Sequence, residues 1–435
     1  MNEMKTKVID YIIKFLLGPQ NEKFSQYISY GGDKGRVVIK KSGFFMPEIY
    51  MTENSLPKFP LKEIKGLPIL FGDDTIEKKE NKIILGADII ASSFFMITRY
   101  EEYVRSDNRD VHGRYLGKGS ILYKAGCLER PLVDEYGRLL RACLVELGIP
   151  VITENRGYEH IYLTHDVDQI WQWRNLYSAL KTMTKRIVLN KSNKTESIKA
   201  WFNYKKYDPI YTFPWFLKMD NIIRSLTHKC SCVYFVMGCG RSQRDFGYID
   251  KVKEVKDFVN YVENNGGDIG IHISYEAGKA PENIEKEKER IERICNHGIT
   301  LNRYHYLASR HPLELKYLVQ YGISDDFTMG YADVAGFRLG TCRAVNWIDL
   351  KEEEITPLIL HPMTVMEVSL DGSEYMGLTK EDAYKKVCVL LDSVYKYGGE
   401  VVLLWHNSTV AAASDGYQRE LYEKTLLYIK SKIEN

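Results

Sequence analysis

Two carboxylates one residue apart, Asp166 and Asp168, close the apolar run in "YLTHDVDQIW", with His165 beside them. Side chains at i and i+2 of a strand point to one face, so the two aspartates share a side. Later runs end in residues of the same kind. His272, Ser274 and Glu276 close "DIGIHISYE", Arg303 and His305 lie in "LNRYHYL", and His406 with Asn407 closes "VVLLWHN". Carboxylates and imidazoles brought to one rim are the donor set of a divalent cation and of an acid–base pair. Each member alone has a plainer account: a D-x-D is commonly a turn or helix cap, and a lone strand-end histidine is commonly a satisfied structural group. Recurrence at the same end of successive strands favours the joint reading, because unpaired charges buried there would be costly without a metal or partners.

The elements that must position these groups are short apolar, β-rich runs from residue 160 onward: "IYLTHD", "CVYFVMG", "DIGIHIS", "LNRYHYL", "ISDDFT", "ITPLILHP" and "VVLLWHN". Helical stretches such as "PENIEKEKERIERICNHG" and "KEDAYKKVCVLLDSVYKYGG" separate them, which argues for βα units and a parallel sheet or barrel. Seven strands over about 250 residues suit a βα-barrel, whose catalytic groups sit where strands end and loops begin. Residues 1–155 differ in texture, with "RVVIKK", "LPILFG" and "KIILGA" as strands. Two amphipathic helices follow, "ADIIASSFFMITRYEEYVR" and "PLVDEYGRLLRACLVELG", the second closing at Gly148. The expectation is therefore α/β: a seven-stranded (β/α) barrel over 156–435 behind a small α/β domain over 1–155. An aromatic and basic insertion at 171–216 is expected between the first barrel strand and the next helix.

Composition narrows the class. The chain has 435 residues, 44% hydrophobic and 27% charged, with a net charge of +2. It can bury a sizeable core, and no global field argues for nucleic acid or an anionic membrane. The start, "MNEMKTKVIDYIIKFLLGPQ", reads as an amphipathic helix rather than a signal peptide. No run reaches the ~18 apolar residues of a membrane span. Eight cysteines include no CxxC pair, which favours free thiols and a reducing, cytoplasmic setting.

In motif order, residues 160–410 resemble the polysaccharide deacetylase superfamily, carbohydrate esterase family four, whose domain is an irregular (β/α) barrel. "YLTHDVD" is similar to that family's first motif, a strand ending in two nearby aspartates, and "SCVYFVMG" resembles its second strand. "NNGGDIGIHIS" resembles the "G-H-E-I-G-x-H-(S/T)" segment, "RYHY" occupies the place of the arginine motif, and "VVLLWHN" resembles the final "(I/L)-L-x-H" strand. The first 155 residues, with "SSFFMITRYEEYVRSDNRDVHGRY", resemble the uncharacterised domain that precedes such deacetylase domains in some bacterial proteins, which implies a companion and no chemistry.

The resemblance implies Asp166 as general base, Arg303 as its orienting partner and His406 as general acid. It implies Asp168 and His272 as ligands of a divalent metal, zinc or a substitute, and an N-acetylated sugar as substrate. The family's third ligand is a histidine four residues after the first; here that position is Glu276. Three alternatives stand open: Glu276 ligates through oxygen with a preference for harder metals, His305 reaches in from the next strand, or metal is bound weakly or not at all. Trp171, Trp173, Tyr275, Arg338 and Trp405 are candidates for substrate contact. The rival reading is a deacetylase-like barrel that has lost full metal binding and serves as a glycan-binding or scaffold module.

Overall fold

Strands form where β-branched and aromatic residues run between glycines and charges, and helices where apolar residues recur every three to four positions. The computed structural model describes residues 3–172, 199–200, 202–239, 242, 244–245, 248–372, 374–411 and 416–434. These fall into two compact units that interleave along the chain, where the sequence suggested a single boundary near residue 155.

The first unit holds Met1–Glu159, Tyr306–Gly377 and Val389–Val402. Its N-terminal strands are β1 (Ile28–Tyr30), β2 (Val37–Ile39), β3 (Lys62–Ile64), β4 (Leu67–Ile69), β5 (Gly72–Lys79) and β6 (Lys82–Ala87). They form a sheet in the order β1-β2-β6-β5, parallel except for β5, and a separate β3-β4 hairpin. Helices α1 (Glu3–Leu17), α2 (Ile89–Ile97) and α3 (Leu132–Glu146) complete this part. Asp88 caps α2 by accepting from the Ala91 amide at 2.9 Å, and α3 stops before Gly148, whose φ of 75° a side chain would resist. The expected single helix after residue 88 is broken at Arg99, which takes a left-handed φ of 57°. That turn sends its guanidinium to Glu102 and to Ser309.

The later segments of the first unit carry β11 (Asp325–Met329), β12 (Val345–Asp349), β13 (Glu354–Pro362) and β14 (Val365–Met366). Strand β13 runs parallel to β11 and antiparallel to β12. His361, near the end of β13, is buried with its Nδ1 2.7 Å from Glu400 and its Nε2 3.0 Å from Asp325.

The second unit holds His160–His305, Leu378–Cys388 and Leu403–Asn435. Strands β7 (His160–Val167), β8 (Cys230–Met237), β9 (Asp268–Ile273) and β10 (Leu301–Tyr304) lie parallel and adjacent in that order. On the other side of β7 runs β15 (Glu400–His406). Helices α4 (Phe213–Arg224), α5 (Val252–Asn264) and α6 (Ile284–Cys295) connect the parallel strands, as βα units require. Helix α5 buries Val255, Phe258, Val259 and Val262, a stripe at i, i+3, i+4 and i+7. Two further long helices, α7 (Lys380–Tyr397) and α8 (Gln418–Glu434), flank β15 in sequence.

The protein is thus mixed α/β. Beyond residue 159 the described residues form nine strands, where the sequence suggested seven. The additional two are β12, held by antiparallel pairing to β13, and the two-residue β14, too short to stand out as an apolar run. Among the described residues no helix is long and apolar enough to cross a membrane.

The His361 cluster makes a pH-dependent contribution to stability. Burial works against the charged ring, but Asp325 and Glu400 outweigh it and lift its pKa to about 9. A raised pKa adds stability that is complete below the unfolded value of ~6.5 and is lost as pH rises through about 9. His361→Gln is expected to cost about 3 kcal/mol near neutrality. In denaturant titrations of both proteins, the difference should shrink steadily from pH ~6.5 to about 9 and level off above it; a gap independent of pH would show that His361 is not held as a cation.

Candidate metal centre and active site

Strand register places the site. Val167 pairs with Val236, Met237 with His272, and His272 with Arg303, so Asp168, His272 and Arg303 stand level at the ends of their strands. One pleat earlier, Asp166 pairs with Phe235 and Phe235 with Gly270. A Cβ on Gly270 would lie 2.5 Å from the Phe235 ring and 3.1 Å from the Leu301 carbonyl, so glycine there makes room for the ring. The ring supports the Arg303 guanidinium, centred 4.5 Å from it. Arg303 in turn donates from Nη1 to Asp166 Oδ1 at 2.9 Å and to Thr164 Oγ1 at 2.7 Å. Arg303 is fully buried and Asp166 nearly so. Burial alone would raise the Asp166 pKa; His272, Arg303 and His406 outweigh it and keep the group a carboxylate. Its second oxygen, Oδ2, lies 3.6 Å from His272 Nε2 and 3.9 Å from His406 Nε2.

Asp168, His272 and His305 turn one ligand atom each toward a common point, all within 4.8 Å of one another. His272 Nδ1 lies 2.9 Å from the Arg303 carbonyl, which can only accept; the proton therefore sits on Nδ1 and the Nε2 lone pair is free. His305 Nδ1 lies 2.9 Å from Asp245 Oδ1, a carboxylate oxygen that can only accept, so the proton sits on Nδ1 and Nε2 is the donor atom turned toward Asp168. The two Nε2 atoms lie 3.4 and 3.5 Å from Asp168 Oδ1. Ligands about 2.0–2.1 Å from a tetrahedral zinc stand about 3.3 Å apart, so these spacings fit one ion. Asp168 Oδ1 and His272 Nε2 are buried without a hydrogen-bond partner among the described residues. Buried polar atoms left this way call for an explanation, and a cation between them supplies one. The charge balance agrees. Burial pushes the Asp168 carboxyl up, yet the neighbouring imidazoles hold it well below the usual carboxylate range, and Asp166 and Asp168 raise His272 against its own burial. The cluster demands positive charge, as a proton or as a metal.

Of the two residues considered for the third ligand, His305 is the one that brings a donor atom to Asp168 and His272 among the described residues. Glu276 is exposed, and its amide donates to Asp245 Oδ2 at 3.3 Å; the atom that joins Asp168 and His272 belongs to His305. His305 does not continue β10, which ends at Tyr304. It opens a tight turn in which Tyr306 and Leu307 take left-handed φ angles of 62° and 53°. Asp245, which no motif singled out, organises this side. It accepts from the Tyr275 amide at 2.9 Å and from Ser242 Oγ at 2.7 Å, and aims His305.

Of the residues expected to touch substrate, Trp405, Arg338, Trp171 and Tyr275 are buried. Trp405 is fully enclosed, with Nε1 donating to the Gln418 carbonyl at 3.1 Å, because neighbours on a strand face opposite sides and His406 takes the site side. Arg338 lies buried in the first unit, where Nε and Nη2 each donate at 2.8 Å to the two oxygens of Glu102. Trp171 is buried against Tyr204 and Tyr248 with Lys251 over its face, which removes it as an open stacking wall. Trp173 and most of the 171–216 insertion lie outside the described residues. Tyr275 is buried, its ring flanked by Arg244 and Lys279. His165 faces away from the aspartates, 3.1 Å from Asp220 and 3.3 Å from the Trp405 carbonyl.

Comparison with known proteins adds little chemistry. Residues 3–148 match a family of unknown function, DUF7033. No curated protein matches the chain. Among solved structures, a Mycobacterium smegmatis protein provisionally assigned as a polysaccharide deacetylase is similar over 64% of this chain and 86% of its own, at 13% identity and a TM-score of 0.39. A likeness that slight carries no weight for mechanism.

Gly270→Ala tests the support beneath Asp166. The added methyl meets the Phe235 ring at 2.5 Å and cannot be absorbed without moving it. The expected cost is about 1–3 kcal/mol, the usual price of overpacking, read as a lower melting temperature. Gly270→Ala with Phe235→Leu should recover much of it; no loss in the single variant would show that the ring does not need this glycine.

Proposed function

We propose that the protein is a metal-dependent hydrolase that removes an acetyl group from an N-acetylated sugar or a related amide. The observation that carries this reading is the juxtaposition of three ligand atoms, on Asp168, His272 and His305, with an arginine-held carboxylate and a strand-end histidine. Asp168, His272 and His305 would hold the ion, zinc by ligand type. A divalent cation held there supplies Lewis acidity, acidifying water and polarising an amide carbonyl.

The chain's own residues do the rest. Asp166, kept ionised, accepts the proton of the attacking water at Oδ2, the oxygen that Arg303 leaves free. Arg303 fixes the carboxylate plane so that this oxygen faces His272 and His406. His406, half-buried at the end of β15, protonates the departing amine nitrogen, which is too basic to leave without it. All eight cysteines are free thiols, which suits a reducing compartment and hence a precursor or lipid-linked sugar.

Two measurements test this reading. Purified protein should bind close to one equivalent of zinc or a related divalent ion, and should hydrolyse an acetylated amino sugar or acetyl ester. Asp166→Asn and His406→Ala should each lower turnover by about 10²–10⁴ while metal stays bound. Stoichiometric glycan binding with no turnover in the metal-loaded protein would instead make this a binding module. The ligand assignment has its own test: Asp245→Asn should weaken metal binding by about 10–100-fold through loss of His305 orientation. Glu276→Ala should leave metal affinity where it was. The reverse ranking by metal titration would return Glu276 to the ligand set.

A further inference from the structure

The first unit contains a cavity of about 340 Å³, within the ~300–1,000 Å³ typical of small-molecule sites. Its wall joins the end of α1, the start of α3, the segment around Thr153 and Asn155, and the stretch at Arg343. Two guanidinium groups meet there with one buried carboxylate, Asp134. That carboxylate is already engaged: Oδ1 takes Arg343 Nε, and Oδ2 accepts from Thr341 Oγ1 at 2.9 Å and from the Cys342 amide at 3.0 Å. Arg343 spends only Nε in this way. Its guanidinium lies over the Phe15 ring at 4.0 Å, and neither Nη group donates to any described residue.

Arg141 has no carboxylate within ion-pair distance among the described residues. It donates from Nη1 to the Leu16 carbonyl at 2.7 Å and from Nε to the Thr153 carbonyl at 3.4 Å. Burial and the nearby Arg343 push its pKa down to about 10, against the opposing pull of Asp134. Carbonyl partners fix the group in place without neutralising it.

We propose that this cavity binds a small ligand through a carboxylate or phosphate group, gripped by the free Nη donors of Arg343 beside Arg141. Guanidinium forks match both oxyanions bidentately and supply the charge-assisted bonds that fix such a group. Tyr11, Phe15 and Tyr397 line the same cavity and offer apolar surface to the remainder of the ligand. The site lies wholly within one unit and is independent of the hydrolase reading.

The test uses the full-length protein and two probes, inorganic phosphate and benzoate, each titrated at constant ionic strength against sodium chloride. At least one oxyanion should raise the melting temperature saturably, by the logarithmic dependence that specific binding gives, and chloride should not. Arg343→Gln should abolish that response. Asn155→Asp, on an exposed lining residue, should weaken it by placing a negative charge at the cavity edge even where Arg343→Gln folds poorly. The ratio of phosphate to benzoate affinity distinguishes a phosphorylated ligand from a carboxylic acid. No saturable rise with either probe, or an unchanged rise in the Asn155→Asp protein, overturns the proposal.

Discussion

A buried ion pair, Arg303 with Asp166, sets the terms for the candidate site. Neither partner has meaningful access to water, and separating such a pair costs about 3–5 kcal/mol. The arrangement is sustainable because the guanidinium is served on several sides: Asp166 and Thr164 as acceptors, the Phe235 face beneath. A side chain at Gly270 would collide with the Phe235 ring. A glycine on one strand, a ring on the next, and an arginine on a third thereby determine which oxygen of a carboxylate on a fourth remains available. Parallel pairing in register makes this transmission possible, since each residue sits level with its neighbours.

The three candidate ligand groups are held by different means. Asp168 follows β7 directly, and His272 is fixed by a backbone carbonyl of the adjoining strand. His305 sits on a turn and owes its orientation to Asp245, a carboxylate–histidine pair of the sort that settles tautomer and raises donor strength at metal sites. Glu276 stands apart from this group, and the third donor atom beside Asp168 and His272 comes from His305, on a different element.

Much of this was legible in the sequence because strand periodicity is simple. Asp166, Asp168, His272, Arg303 and His406 follow from apolar runs that end in polar residues. His305 could be named but its route could not, since the left-handed turn at Tyr306 and Leu307 has no glycine to announce it. Asp245 lies between strand and helix in "CGRSQRDFGY", where no period marks a functional side chain. Trp405 is turned away from the site because it neighbours His406, and adjacent strand residues cannot share a face. Arg338 was beyond reach because its partner, Glu102, is 236 residues away. The same distance effect explains the interleaved units. Hydrophobic patterning identifies strands, but not which compact unit each strand joins.

Strand β7 is dressed on both sides, and this has a mechanical corollary. Asp166 looks into the cationic side of Arg303, while His165, one residue earlier, is enclosed with Asp220 on the reverse side. Sliding the strand by a single position would drive a carboxylate into the aromatic nest of Phe216 and Tyr234 and lodge an imidazole against a guanidinium. Both mismatches would arise in the same movement. The strand is keyed like a two-sided lock, so slippage during folding is penalised twice, and the spacing of the aspartates survives because only one alignment is tolerated.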